Sequence, residues 1–329
     1  MRRRQFLRVL TLAAGASLFA PLRGWSANSG MSAQWQSTLL RDHPLVGRIW
    51  DAKLARFVHS ADLVESLRNA TFGLLGEIHD NADHHAIQAE LLEGLARTGT
   101  RRGVVFEQFD REFEPALRRL LSSGQPSPED VADAVGFDRK GWNWDFYRPL
   151  VAIALRHGMP IAAGNLSRKA AVTIARQGLS ALEPGRAAAL RLDSGWSAER
   201  EQALHRIIAD GHCGALPASA IPSMAAAQRV RDATLAEALL GVSREGAVLI
   251  AGNGHVRRDL ATPIYLAAAA PDASCCAVGI LEVQAGRENP SAYLSSAAGN
   301  VRPFDFACFT PRRDRPDPCL AFERARAKK

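Results

Sequence analysis

The stretch TFGLLGEIHDNADHH, residues 71–85, decides the fold. Its first six residues form an apolar run with the length and composition of a buried β-strand. Asp83 then opens a helical pattern in which apolar residues recur at helical spacing between residues 87 and 95. A strand followed directly by an amphipathic helix predicts a βα unit, from which parallel sheets are built.

The same alternation continues outward along the chain. Apolar runs predict four further strands over residues 103–107, 159–163, 246–251 and 276–281, with helical patterns between them. Residues 167–245 are predicted to be almost entirely helical. The fold class is therefore predicted to be α/β, a three-layer α/β/α arrangement with a mostly parallel sheet and a helical insertion at 167–245.

Composition and charge exclude several classes of protein. The 329 residues are 47% hydrophobic and 23% charged, which excludes a disordered, collagen-like or polytopic membrane protein. The net charge of +7 comes from the two ends. Residues 1–27 hold five arginines and no acid, and residues 311–329 hold seven basic against three acidic residues, so residues 28–310 carry about −2. We expect no nucleic-acid partner, because that function needs a basic cluster on the folded body.

The first 27 residues resemble a twin-arginine export signal. Arg3 and Arg4 precede an apolar stretch over residues 9–20 that is too short to span a bilayer stably. Since the first cysteine is Cys213, a lipid-modified amino-terminal cysteine is not expected. We therefore expect the twin-arginine export machinery as a partner, a periplasmic location, and no stable membrane anchor after cleavage.

Beyond this segment we expect one α/β domain over residues 28–310, followed by a basic tail over 311–329 in which the run after Pro318 is solvated. Five cysteines are present, an odd number for an exported protein. Cys308 and Cys319 flank a proline-rich loop and form a candidate disulfide, whereas no CxxC pattern indicates a zinc or redox site.

Polar side chains cluster where the predicted strands end. Glu77 and His79 follow the first strand, Glu107 ends the second, and His255 follows the fourth. The carboxyl ends of parallel strands meet at one edge of a sheet, so we expect these groups to converge there. GEIH and GNGH form a pair of GxxH motifs, and imidazole with carboxylate is a donor set suited to zinc or another divalent ion.

Several longer segments carry a family resemblance. These are GEIHDNADHH from residue 76, FEQFD from 106, HCG from 212, AQRVRD from 227 and AGNGHVRRD from 251. They resemble the ChaN-like haem-binding uptake family of the Tiki superfamily, which also contains erythromycin esterases and Tiki metalloproteases. The resemblance implies an α/β/α fold and an exported haem-binding protein linked to haem or iron uptake, with haem as cofactor.

The resemblance also implies an alternative function, a metal-dependent esterase or peptidase. In that case Glu77, His79, Glu107 and His255 would be the catalytic and metal-binding residues, with zinc or manganese as the ion. Gln228 and Asp232 are candidates for residues that form hydrogen bonds to these ligands without contacting the ion themselves.

Haem binding requires an axial ligand, an apolar wall and partners for the propionates. The candidate haem-binding residues are His84, His85, His212, Met224, Tyr265 and Arg231. Trp142 and Trp144 are candidate walls for the porphyrin, and Arg257 and Arg258 are further candidates for the propionates.

Overall fold

The fold is built on one eight-stranded sheet. The computed structural model describes residues 34–317 and 319–320. The strand order is β2-β1-β8-β7-β3-β6-β4-β5. The strands are β1 (Ile49–Asp51), β2 (Arg56–Val58), β3 (Phe72–Leu75), β4 (Gly103–Asp110), β5 (Ile161–Asn165), β6 (Ala247–Ile250), β7 (Cys275–Glu282) and β8 (Phe306–Thr310).

Six neighbouring strands, from β8 to β5, pair in parallel, and β1 and β2 complete one side of the sheet by antiparallel pairing. The five predicted strands are confirmed as β3 to β7. They read as continuous apolar runs because both faces of a parallel sheet are covered. Strands β1, β2 and β8 were not predicted.

Helices cover both faces of the sheet. They are α1 (Ser60–Asn69), α2 (Ala82–Ala96), α3 (Glu114–Ser122), α4 (Pro128–Ala134), α5 (Trp144–Arg156), α6 (Arg168–Gln177), α7 (Arg186–Ala189), α8 (Ala198–Gly211), α9 (Ile221–Val242) and α10 (Thr262–Ala269). Val105 and Phe106 of β4 point to opposite faces, and each joins a separate apolar core. The predicted α/β/α class and the helical character of residues 167–245 are thereby confirmed.

The start of α2 differs from the prediction by two residues. Asn81 is the N-cap, and its side chain accepts a hydrogen bond from the backbone N–H of Asp83. The Asp83 carboxylate instead accepts hydrogen bonds from the backbone N–H groups of Gln36 and Ser37, at 2.7 and 2.9 Å. Asp83 therefore fixes the segment that leads into the domain rather than the end of the helix.

The predicted disulfide between Cys308 and Cys319 is wrong. Cys319 pairs with Cys213, which follows α8, and their Cα atoms are 5.6 Å apart. Cys308 is fully buried in β8 as a free thiol, enclosed on both sides by the strand pairs of the sheet. The observed bond joins the helical insertion to the carboxyl-terminal segment.

The first part of segment 311–329 is held against the domain by ion pairs. The Arg315 guanidinium contacts the carboxylates of Asp80 and Glu282 at 2.8 and 2.6 Å. Arg313 also contacts Asp80. The proposed signal, residues 1–27, and the end of the tail lie outside the described residues. No helix in the described part of the chain is long and apolar enough to cross a membrane.

Candidate functional site

The two GxxH motifs meet at the carboxyl edge of the sheet because their glycines allow it. A Cβ atom on Gly76 would lie 2.2 Å from the Asn253 side chain, and one on Gly252 would lie 2.7 Å from the His79 ring. Any larger residue would push the loops after β3 and β6 apart. Each motif's glycine thus makes room for the other motif.

The first cluster of the site is centred on the buried Glu77 carboxylate. One oxygen contacts His79 Nδ1 at 2.7 Å and accepts a hydrogen bond from the Tyr147 hydroxyl at 2.8 Å. The other oxygen lies 2.8 Å from His85 Nδ1, and Gln108 Nε2 donates to the first at 3.3 Å. Burial alone would raise the Glu77 pKa, but the charge of His85 and the hydrogen bonds from His79 and His85 hold it at about 2.

The second cluster is centred on His255. Its Nδ1 contacts Asp232 at 2.7 Å, and its Nε2 lies 3.3 Å from Glu107. Glu107 also accepts a hydrogen bond from the Gly252 N–H at 2.8 Å, and the Thr262 hydroxyl donates to Asp232 at 3.1 Å. Burial would lower the His255 pKa, but the two carboxylates outweigh it and raise the pKa to about 10. His255 is thus buried between two acids that favour its protonated form.

The histidines of the two motifs differ in how much of the side chain is exposed to solvent. The His79 side chain is 44% exposed, whereas that of His255 is 7% exposed. Nδ1 of His79 is held by Glu77, and no hydrogen bond to Nε2 is found within residues 34–317 and 319–320. His79 therefore combines a fixed ring orientation with a nitrogen that is open to a ligand.

His84 and His85 have internal partners at both ring nitrogens. His84 is fully buried; its Nδ1 accepts from the Ile78 N–H at 2.9 Å, and its Nε2 contacts the Thr310 hydroxyl at 2.9 Å. Burial lowers the His84 pKa to about 3. The Nε2 of His85 contacts the His79 carbonyl at 3.1 Å. Both histidines thus support the loop that carries His79.

The other candidate ligands lie on the helical insertion and on α10. Tyr265 is 2% exposed, with its ring stacked on Trp196 at 6.3 Å between centroids. His212 follows the last residue of α8, and its Nδ1 donates to the Ile208 carbonyl at 2.7 Å. Met224 is half-buried in the first turns of α9.

The two candidate tryptophan walls have different positions. Trp142 is half-buried, and its ring meets His79 edge to face at 4.7 Å. Trp144 is buried and packs against Phe137 at 4.8 Å in the core. Only Trp142 of this pair presents a surface beside His79.

The three arginines that are candidate propionate partners differ in whether they form ion pairs. Arg257 pairs with the buried Asp259 at 2.6 Å, and Arg258 pairs with Asp305 at 2.6 Å. Arg231 forms no contact ion pair with any described residue. It lines a cavity of about 340 Å³ together with Trp142.

The four predicted metal ligands are not arranged as a metal site. No group of three or more histidine, cysteine, aspartate or glutamate residues in the described ranges is placed to hold a metal ion. Glu77 is paired with His79 and His85, and Glu107 with His255, so their donor atoms face each other rather than a common point. The metal-dependent alternative therefore has no support in this site.

Three further residues complete the two clusters, and sequence reasoning missed two of them, Tyr147 and Thr262. The Tyr147 hydroxyl and the Gln108 amide both contact Glu77, and Thr262 contacts Asp232. Gln108 directly follows Glu107 at the end of the predicted second strand, and this position indicates from sequence alone that it lies at the site. Tyr147 lies in the first turn of α5, and Thr262 is the first residue of α10. Nothing in the local sequence distinguishes either residue from a core residue.

The fold and site define an α/β/α protein with paired histidine–carboxylate clusters at the sheet edge. The family profile described as haem-binding uptake, Tiki superfamily, ChaN matches residues 63–266. This span is more than half of the chain, and the protein belongs to that family.

Comparison with solved structures finds one chain that supports the fold and another with a weaker similarity. The structure described as cofacial haem binding to ChaN of Campylobacter jejuni aligns with a TM-score of 0.64 at 18% identity, covering 79% of this chain and 95% of that one. The type III effector HopBA1 aligns with a TM-score of 0.42 at 13% identity, covering 77% and 94%. A comparison with curated protein sequences finds no match.

Proposed function

We propose that the protein binds haem at the carboxyl edge of the sheet, with His79 as the iron ligand. One observation carries the proposal. Among the histidines of the two clusters, His79 alone combines an exposed ring, an anchored Nδ1 and an open Nε2. Histidine is one of the protein ligands of haem iron, and membership of the haem-binding family supports haem as the bound group.

Glu77 prepares His79 for this role. A carboxylate that accepts the Nδ1–H bond fixes the tautomer and the ring plane, and it raises the basicity of the opposite nitrogen. The 2.7 Å contact between Glu77 and His79 has this geometry. Tyr147 donates to the same Glu77 oxygen and His85 contacts the other oxygen, so the carboxylate cannot turn away.

The surroundings of His79 fit a porphyrin. Trp142 supplies an aromatic surface next to the imidazole that could pack against a porphyrin. Arg257 and Arg258 are held in internal ion pairs, so neither guanidinium is available for a propionate, and Arg231 lies in the adjoining polar cavity. Bound haem would supply the iron centre, and these residues would orient it.

A haemin titration tests this function. The purified protein should give a saturable change in the Soret band, and His79→Ala should abolish it or weaken binding at least tenfold. His157→Ala is the matched control, because His157 is also partly exposed and paired with a glutamate, but at the end of α5. A normal titration by His79→Ala would assign the iron to another residue, and no change with the wild-type protein would reject haem binding.

The cellular role that we propose is haem or iron uptake after export through the twin-arginine pathway to the periplasm. The support is the Arg3-Arg4 motif with its short apolar stretch, together with the uptake family. Replacing Arg3 and Arg4 together by lysine should retain the protein in the cytoplasm. Unchanged export of this double variant would contradict the assignment.

A further inference from the structure

A polar cavity adjoins the Glu77 cluster at the carboxyl ends of β4 and β5. It has a volume of about 340 Å³. Seven of the residues that line it carry polar or aromatic groups, namely Gln108, Asp110, Asp138, Trp142, Asn165, Arg168 and Arg231. Gln108 links it directly to the site, since its amide donates to Glu77.

The cavity holds two guanidinium groups without contact ion pairs. Within the described part of the chain, neither the exposed Arg168 guanidinium nor the partly buried Arg231 guanidinium forms an ion pair, whereas the Arg168 backbone N–H donates a hydrogen bond to Asp110. The Nε of Arg231 is buried and has no hydrogen-bond partner there. Asp110 is close enough for the charge of Arg231 to counteract the burial that raises its pKa. A partly buried guanidinium without a partner favours the binding of an anion.

The cavity also holds two buried acceptors without donors. Gln108 and Asn165 are 5% and 7% exposed, and the side-chain oxygen of each lacks a hydrogen-bond partner among the described residues. The orientation of Gln108 is fixed, because its nitrogen must face the Glu77 carboxylate and its oxygen therefore faces away. An unsatisfied buried acceptor destabilises the protein, because the desolvation of its oxygen is not compensated. A ligand with a donor group would remove this cost.

We propose that the polar cavity binds a small carboxylate that also carries a hydroxyl or ammonium group. Its carboxylate would lie against Arg231 and Arg168, and its donor would reach Gln108 and Asn165. The volume lies near the lower end of the range for small-molecule pockets, about 300–1,000 Å³. A haem propionate supplies the charge but no donor, so this ligand is a molecule distinct from haem.

Matched pairs of probes test the donor requirement. Calorimetry on the purified protein would compare L-malate with succinate, citrate with tricarballylate, and L-glutamate with glutarate. Each pair differs by one hydroxyl or ammonium group. At least one donor-bearing probe should bind, about tenfold more tightly than its partner, since one hydrogen bond contributes about 1 kcal/mol or slightly more.

Variants assign the binding to this cavity. Arg231→Gln and Arg168→Gln should each weaken the binding of that probe at least tenfold, and Asn165→Leu should remove the preference for the donor. Arg97→Gln is the charge-matched control, since the exposed Arg97 follows α2. Failure of all six probes to bind, or equal binding within every pair, would overturn the proposal.

Titrations with haem complete the test, because they show whether the cavity binds a propionate. Haemin and its dimethyl ester would be titrated into the wild-type protein and Arg231→Gln. If Arg231→Gln weakens haemin but not the ester, and no free carboxylate binds, the cavity serves a propionate and the proposal is overturned while haem binding stands. If a donor-bearing probe binds but haemin does not, the cavity proposal stands and haem binding fails.

Discussion

The histidines of the two GxxH motifs occupy opposite environments although their local sequences match. His79 is nearly half exposed and is held by one carboxylate, while His255 is buried between two. The difference arises from distant elements. Helix α9 brings Asp232 to His255. Helix α5 instead brings Tyr147 to Glu77, and Nε2 of His79 has no hydrogen bond among the described residues. One motif thus yields a ligand position and the other an internal ion pair.

This comparison assigns different consequences to mutation in the two clusters. A buried ion pair that loses one member leaves an uncompensated charge, which strongly destabilises a fold. An exposed histidine with one hydrogen bond contributes little to stability but can decide ligand binding. The predictions below test that division.

The largest effect is expected for Glu107→Ala. The variant leaves the buried His255 without one of its two carboxylates and frees the Gly252 N–H. We expect the free energy of unfolding to fall by about 3–5 kcal/mol. Urea unfolding would measure it, with His79→Ala as the comparison, for which the loss should stay below about 1 kcal/mol. Similar losses for both variants would remove the distinction between the clusters.

The pH dependence of stability sharpens the comparison. The His255 pKa is raised to about 10, so its contribution is fully present below about 6.5 and is lost as the pH rises toward 10. In the middle of this window the contribution should fall by up to about 1.4 kcal/mol per pH unit. Unfolding measured between pH 7 and pH 10 should show this decline in the wild-type protein and in His79→Ala. A decline of equal slope in His255→Gln above pH 8 would contradict the assignment.

A smaller effect is expected for Trp142→Ala. Removing the aromatic surface beside His79 should weaken haemin binding about tenfold, in keeping with about 0.5–1.5 kcal/mol for an aromatic pair. Trp142→Phe should recover most of the affinity. Unchanged affinity of Trp142→Ala would show that the porphyrin does not pass this ring.

The smallest effect is expected for His212→Ala. His212 lies beside the disulfide at the end of α8, outside both clusters. We expect the haemin affinity of the His212→Ala variant to stay within about twofold of the wild-type value. A loss as large as that of His79→Ala would move the iron to the helical insertion.

The central strands and the site edge could be predicted from sequence because both depend on local signals. Each strand from β3 to β7 is a continuous apolar run, and polar residues follow directly where it ends. Strands β1 and β2 have three residues each, too few to show a period. Strand β8 lies between Pro303 and Pro311, and its place beside β7 is fixed by pairing rather than by a local pattern.

The roles of individual histidines could not be predicted because they depend on contacts between distant elements. His84 and His85 are adjacent in sequence, yet α2 directs one toward Thr310 of β8 and the other toward Glu77. The disulfide partner of Cys319 was missed for the same reason, since 106 residues separate it from Cys213. Neither contact leaves a local pattern.

Ligand exchange at His79 tests the central claim most directly. The ferric haem complexes of the wild-type protein and His79→Tyr would be compared by absorption and electron paramagnetic resonance spectroscopy. If His79 binds the iron, the spectra should change from a histidine-ligated to a tyrosinate-ligated signature, because the axial ligand governs the electronic state of the iron. Identical spectra for the two proteins would show that another residue holds the iron, and would contradict the assignment of His79.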